Sequence, residues 1–312
     1  MSWLQIPNVN GLPNSDVLRR SENGESITRH KTDPWIIDFP PETTLETAAR
    51  YELPFEYIKN VVYPVRCKNR RASRASCWWI HGDPQKSMRS ALLPLGRFIC
   101  TPRVSKHRIF VWLDPPVLAD CQLVVFTRSD DYFFGVLHSR VHEVWARSQG
   151  TQVRERESGF RYTPTTCFET FPFPQPTAEQ RDAIAAAAKE LDALRCNWLN
   201  PPDWTKTETL EFLGTVNGPW KRFVHDPDER GVGTVRYSRT VAKDEACAAK
   251  IKVRTLTKLY NEMPTWLKNA HRTLDEAVLA AYGWPADLGE DNLLARLLEL
   301  NLSRSVELPR RQ

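Results

Sequence analysis

Residues 97–137 read RFICTPRVSKHRIFVWLDPPVLADCQLVVFTRSDDYFFGVL, and the folding of this stretch organises the rest of the chain. Three apolar runs lie in it: Arg108 to Leu113, Gln122 to Thr127 and Tyr132 to Leu137. Each is rich in Val, Ile, Phe or Trp and bounded by turn residues, so all three are predicted as strands. Asp114-Pro115-Pro116 and Ser129-Asp130-Asp131 supply the turns, because proline presets φ and aspartate bonds nearby backbone. Between Pro102 and Phe110 stand Arg103, Lys106, His107 and Arg108. A basic loop held on a small sheet suits nucleic acid, with charge for the backbone and hydrogen bonds for base edges.

Working outward, Ser139 is placed to cap a helix through Val141, Val144 and Trp145. His138 and His142 share a helical face, but no HExxH order or third ligand accompanies them, so packing and hydrogen bonding are expected and no metal. Arg161-Tyr162-Thr163-Pro164-Thr165-Thr166 is a polar loop. Phe168, Phe171 and Phe173 alternate like one buried strand face. Pro172, Pro174 and Pro176 then mark a boundary between a domain of residues 1–175 and one of 176–312.

Upstream, the opening residues Met1–Ile6 read as the continuation of a preceding segment. Asp33–Phe39 (DPWIIDF) is predicted as a short strand. Thr43 or Thr44 caps a helix, Pro54 opens a second, and Pro64 kinks or restarts it. On a continuing helix Arg66, Arg70 and Arg74 fall on one face, with Lys68 and Arg71 beside them and no carboxylates interleaved. Such a face is either solvated or opposed by an anion; phosphate contact is the functional reading. Lys86 and Arg89 extend it. Trp78 and Trp79 are assigned to the core.

Downstream, Thr177 and Gln180 form a capping box for a helix through Trp198, which Pro201-Pro202 stops. A short helix over 206–213, a loop-rich 215–239, and helices over Thr240–Glu262, Trp266–Tyr282 (stopped by Gly283) and Asn292–Leu302 are predicted, then a basic tail, Pro309–Gln312. The expected fold class is α+β: a small, mostly antiparallel sheet with flanking helices, followed by an all-α domain.

The chain has 312 residues, 41% hydrophobic and 26% charged, with a net charge of +5. That suits about two soluble domains and is compatible with DNA binding. Nothing approaches the roughly 18 apolar residues of a membrane span. The seven cysteines are scattered without a C-x-x-C pair, which predicts free thiols in a reducing cytoplasm. Asn200-Pro201-Pro202-Asp203 is similar to the N-P-P-Y/F loop of amino-methyltransferases, whose aromatic stacks on a flipped base. Here Asp203 replaces the aromatic and an amphipathic helix precedes. Gly231-Val232-Gly233 lacks the third glycine and the preceding strand of a nucleotide fold. No catalytic constellation is predicted in the chain.

Several longer stretches carry a resemblance: DVLR (16–19) with NGESITR (23–29), WIIDF, WWIHGDP, TPRVSKHRIFVWLD, DYFFGVLHSRVHEVWA, YTPTTCFETFPFP, RTLTKLYNEMPTWL and LDEAVLAAYGWPADL. Together, over nearly the whole chain, they resemble the MmeI-like family of class I DNA methyltransferases, often fused to an endonuclease in restriction–modification systems. The likeness is to the C-terminal part alone, a target-recognition domain plus a helical domain. It implies recognition of double-stranded DNA for adenine N6-methylation. S-adenosylmethionine would be bound by an upstream catalytic domain or partner, with no cofactor in this chain. Arg103, Lys106 and Arg108, then Arg161, Thr165 and Thr166, are the expected base readers. Arg66, Lys68, Arg70, Arg71, Arg74, Lys86 and Arg89 are the expected phosphate contacts. The alternative is a non-catalytic scaffold that reads no sequence.

Overall fold

Asn14–Val17 makes one 3-10 turn and delivers the chain into β1 (Leu18–Glu22). Asn23 caps the short α1 (Gly24–Thr28), its side chain accepting from the Glu25 and Ser26 amides. β2 (Trp35–Ile37) returns antiparallel to β1, with Leu18 opposite Ile37. Five short helices follow: α2 (Leu45–Ala49), α3 (Glu52–Val61), α4 (Tyr63–Arg66), α5 (Ala72–Ser76) and α6 (Lys86–Leu92). Of the two candidate caps, Thr44 holds α2, accepting from Thr47 N at 3.1 Å. Val17, Phe39, Ala48, Ile58 and Trp78 form the core beneath these helices. This computed structural model describes residues 2–29, 34–152 and 159–307. Met1, Asp33 of the predicted strand and the predicted tail Pro309–Gln312 lie outside the described residues.

The central strand is β3 (Phe98–Pro102), buried along its whole length. After β4 (Val104–Ser105), β5 (Val111–Leu113), β6 (Val117–Ala119) and β7 (Leu123–Phe126) complete the segment. β5 and β7 flank β3 antiparallel, while β6 pairs parallel with β1. The third predicted strand is instead α7 (Asp131–His138). Asp130 accepts from Phe133 N at 2.9 Å and so starts a helix. Every residue from Tyr132 to His138 is buried, and a run apolar on all sides fits a buried helix as well as a buried strand. α8 (Arg140–Gln149) follows at once, capped by Ser139 as predicted.

A third small sheet joins β8 (Thr151–Gln152), β9 (Phe160–Arg161) and β4, in the order β4-β9-β8. The Phe168–Phe173 segment is not a strand. It leaves a π-turn over Pro164–Phe168 and runs irregularly between prolines that cannot donate to a ladder. Its phenylalanines still turn inward, Phe173 stacking on Phe133 at 5.0 Å.

α9 (Ala178–Leu199) carries the predicted capping box. Beyond it the expected helix at 206–213 and loop at 215–239 are replaced by a ribbon: β10 (Thr205–Thr215), β11 (Val224–His225) and β12 (Val232–Ala242). Leu210 lies opposite Tyr237 and Phe212 opposite Val235. That period of two puts one apolar face of the ribbon on Leu4, Leu18 and Trp220. The single helix expected over Thr240–Glu262 is two, α10 (Glu245–Lys252) and α11 (Leu256–Glu262), capped by Asp244 and Thr255. α12 (Thr265–Tyr282) ends at Gly283 with φ of 70°, and α13 (Glu290–Glu307) closes the chain.

The class is α+β. The largest core draws on both sides of the proline segment at 172–176, uniting Phe110, Phe134, Trp145 and Tyr162 with Ile184, Leu191, Leu267 and Val278. Gly135 lets α7 and α9 touch: a Cβ there would sit 2.8 Å from Ile184 Cγ2.

Candidate nucleic-acid interface

Arg103 stands between the β5-β3-β7 sheet and the β4-β9-β8 sheet. Its amide donates to Gln122 O at 2.7 Å, and its carbonyl accepts from Tyr162 N at 2.7 Å. Its Nε donates to Cys121 O at 2.7 Å. Val104 is paired with Arg161 across β4 and β9, so the two arginines leave adjacent backbone. Gly159, with φ of 84°, makes this approach possible, since a Cβ there would lie 1.9 Å from Ser105 O. Arg103, Lys106 and Arg161 are exposed, as are Thr165 and Thr166 on the π-turn. Thr166 Oγ1 donates to Gln149 O at 3.2 Å, tying that turn to the end of α8. The fold thus gathers five of the six predicted base readers on and around one small sheet.

Arg108 is the exception. It is 5% exposed, and its guanidinium donates to Thr101 Oγ1 at 3.0 Å, to Phe160 O at 3.3 Å and to Pro102 O. It lies over the Phe160 ring at 4.6 Å and the Tyr162 ring at 4.9 Å. Burial pulls its pKa down to about 10. Arg108 is therefore not placed to reach a groove; it pins the 101–110 hairpin to β9. A planar, weakly hydrated guanidinium tolerates this setting where carbonyls and ring faces converge.

The two histidines do the same kind of work. His142 Nδ1 faces Leu137 O at 3.0 Å, so it carries the proton, and Nε2 accepts from Tyr162 OH at 3.0 Å. His138 Nε2 accepts from Phe110 N at 3.2 Å and from Arg195 Nη1 at 2.5 Å. Burial holds His142 down at about 3 and His138 well below the usual imidazole range. Among the described residues, no group of three or more His, Cys, Asp or Glu could hold a metal ion.

The predicted phosphate contacts divide. Lys68, Arg70, Arg71 and Lys86 are exposed. The continuous helix that would align Arg66, Arg70 and Arg74 does not form. α4 ends at Arg66, and Asn69 Oδ1 accepts from Arg71 N at 2.9 Å, a side-chain turn that competes with the helix. Arg66 is half-buried and donates to Trp78 O at 3.2 Å and to Ile80 O; burial, then the neighbouring Arg74 charge, lowers its pKa. Arg74 is also half-buried. Arg89 is committed to the fold: Nη1 and Nη2 donate to Asp38 at 2.7 and 2.8 Å, and Nε to Pro84 O at 2.6 Å. Arg19 joins it on the same buried carboxylate at 3.2 Å. Burial alone would raise Asp38, but Arg89 and Arg19 outweigh it and hold the carboxyl below its usual value.

Two clefts add residues not anticipated from sequence. One of about 670 Å³ brings Lys221 and Arg222 beside Lys86. One of about 490 Å³ sets Arg29, Asn23 and Thr257 beside Lys106 and His107. The partners of each cleft are distant in sequence, and only Lys221-Arg222 carried a local signal, a basic pair inside a loop-rich stretch. No helix among the described residues is long and apolar enough to cross a membrane.

Comparison with known proteins bears on this face. Residues 75–175 match the family model described as "MmeI, target recognition domain". No curated protein sequence matches the chain. Among solved structures the fold is similar to that of the Type IIL restriction–modification enzyme MmeI in complex with DNA, with a TM-score of 0.64 and 20% identity. The likeness covers 94% of this chain and 32% of that one, so this chain spans about a third of its length. The exposed cluster of Arg103, Lys106, Arg161, Thr165 and Thr166 lies inside the matched residues, which form an MmeI-like target-recognition region.

Proposed function

We propose that this chain is the DNA-sequence recognition portion of a site-specific adenine N6-methyltransferase in a restriction–modification system, working in the cytoplasm. The observation that carries the reading is the exposed cluster on β4, β9 and the π-turn, inside the residues that match a target-recognition model. Arg103 and Arg161 are held by backbone ladders on both sides, so their side chains start from a rigid base. A well-placed bidentate arginine discriminates guanine from other bases by about 1–3 kcal/mol. Lys106 is the third base-reading candidate. Thr165 and Thr166 offer hydroxyls to base edges. Lys68, Arg70, Arg71 and Lys86 supply phosphate contacts that set register without reading sequence.

The methyl-transfer chemistry belongs, in this reading, to an upstream domain or a separate polypeptide that binds S-adenosylmethionine. In an N-P-P-Y loop the asparagine and the first proline carbonyl hold the target amine. Here the Pro201 carbonyl already accepts from Trp204 N at 2.9 Å and Thr205 Oγ1 at 2.9 Å, closing the turn between α9 and β10. That supports a structural role for residues 200–203.

Selection from a random duplex pool tests the proposal. A short motif should be enriched, and affinity should fall steeply with salt, by about 0.9 in log–log slope for each phosphate neutralised. Arg103→Ala and Arg161→Ala should relax the motif at separate positions. No enrichment with little salt dependence would leave the chain a scaffold.

A further inference from the structure

We propose that α11 of the C-terminal part positions the 103–108 loop for sequence discrimination, with Asn261 as its positioning residue. The inference rests on the reading of that loop as a DNA reader. His107 Nε2 bonds Asn261 Oδ1 at 2.8 Å, across 154 residues of sequence. The His107 ring also leans on Tyr260 at 5.8 Å between centroids. Ser105 Oγ donates to His107 O at 2.6 Å, which closes the loop on itself. Three residues further on, the chain is gripped a second time by the C-terminal part. Arg195 of α9 donates to Phe110 O at 2.9 Å, while His138, which accepts from the same guanidinium, also takes the Phe110 amide.

The two grips differ in kind. The one at Phe110 is buried and holds the fold together. The one at His107 is exposed, so removing it costs the core nothing. Between these grips and β4 lies Lys106, which is exposed. A flexible lysine keeps its charge near DNA wherever its loop sits, but it selects a base only when its backbone is fixed. Asn261 therefore sharpens discrimination without touching DNA and without adding bulk affinity.

The test uses the full chain. In Asn261→Ala, deuterium uptake over residues 104–108 should rise, while thermal stability and affinity for random duplex stay at the wild-type level. Discrimination between the selected site and its single-base variants should fall about tenfold. Asn261→Asp keeps an acceptor for His107 and should restore both loop protection and discrimination. Unchanged uptake in Asn261→Ala overturns the inference, and so does raised uptake with discrimination intact. If the wild-type chain selects no duplex, the proposed function fails. Uptake then still decides, separately, whether α11 holds the loop.

Discussion

Acidification should dismantle this fold from its centre. His142 is fully buried and cannot accept a second proton without losing the Tyr162 hydroxyl that donates to Nε2. His138 Nε2 is occupied by the Phe110 amide and the Arg195 guanidinium. At His271, Tyr260 donates to Nε2 at 3.0 Å while accepting from Arg195. Burial depresses all three: His142 to about 3, His271 to about 4, and His138 well below its usual value. An unfolded histidine titrates near 6.5. The unfolded chain therefore binds more protons below that pH, and the stabilisation present above about 6.5 is lost as pH falls toward the folded values. Between pH 7 and 5, His142 and His271 each contribute a loss of about 2 kcal/mol, and His138 adds to it in the same direction. Asp275 runs the other way. Burial raises its carboxyl to about 7, so protonation on acidification favours the fold and offsets about 2 kcal/mol. The net loss of at least about 2 kcal/mol is a sizeable share of the ~5–15 kcal/mol typical of a domain. Urea midpoints at pH 7, 6 and 5, followed by far-UV circular dichroism and tryptophan fluorescence, measure it. A midpoint that stays constant from pH 7 to 5 would refute the assignment of neutral, proton-excluding histidines.

Asp275→Asn keeps the acceptor for Arg140 N, which Oδ1 receives at 2.7 Å, but removes the buried charge. Because the side chain is only half-buried, the gain is discounted to at most about 2 kcal/mol. It should appear above pH 7 and vanish below pH 4 in urea titrations. Arg108→Lys leaves one ammonium where a fork reaches Thr101, Pro102 and Phe160. It should cost about 2 kcal/mol and loosen the motif selected from random duplexes; wild-type stability in denaturant would show that the fork is dispensable. Gly135→Ala gains about 1 kcal/mol of helix propensity. It must also push a methyl to 2.8 Å from Ile184 Cγ2 and 3.0 Å from Ala188 Cβ, for a net loss of about 1–2 kcal/mol in the urea midpoint.

What could be read without the fold was the chemistry that is local. Thr44, Ser139 and Thr177 cap their helices through bonds to amides three residues on, and Gly283 ends α12, so each signal and its partner share one short window. The segment 97–137 could be seen to carry a small sheet and a basic loop for the same reason. Its third run could not be assigned, because a stretch buried on every side has no polar face to reveal its period; the Phe133 amide, donating to Asp130 Oδ1, starts it as α7. The ribbon of residues 205–242 escaped because its two long strands, β10 and β12, find their apolar face only by pairing across the intervening connection. The site shows the same division. Residue type named Arg103, Lys106, Arg108 and Arg161 alike, but long-range packing turned Arg108 inward onto Phe160 and committed Arg89 to Asp38. Asn261 became relevant to His107 only because α11 docks there. Charge and capping are properties of a residue and its near neighbours, whereas burial and partnership depend on which distant segments the chain brings together.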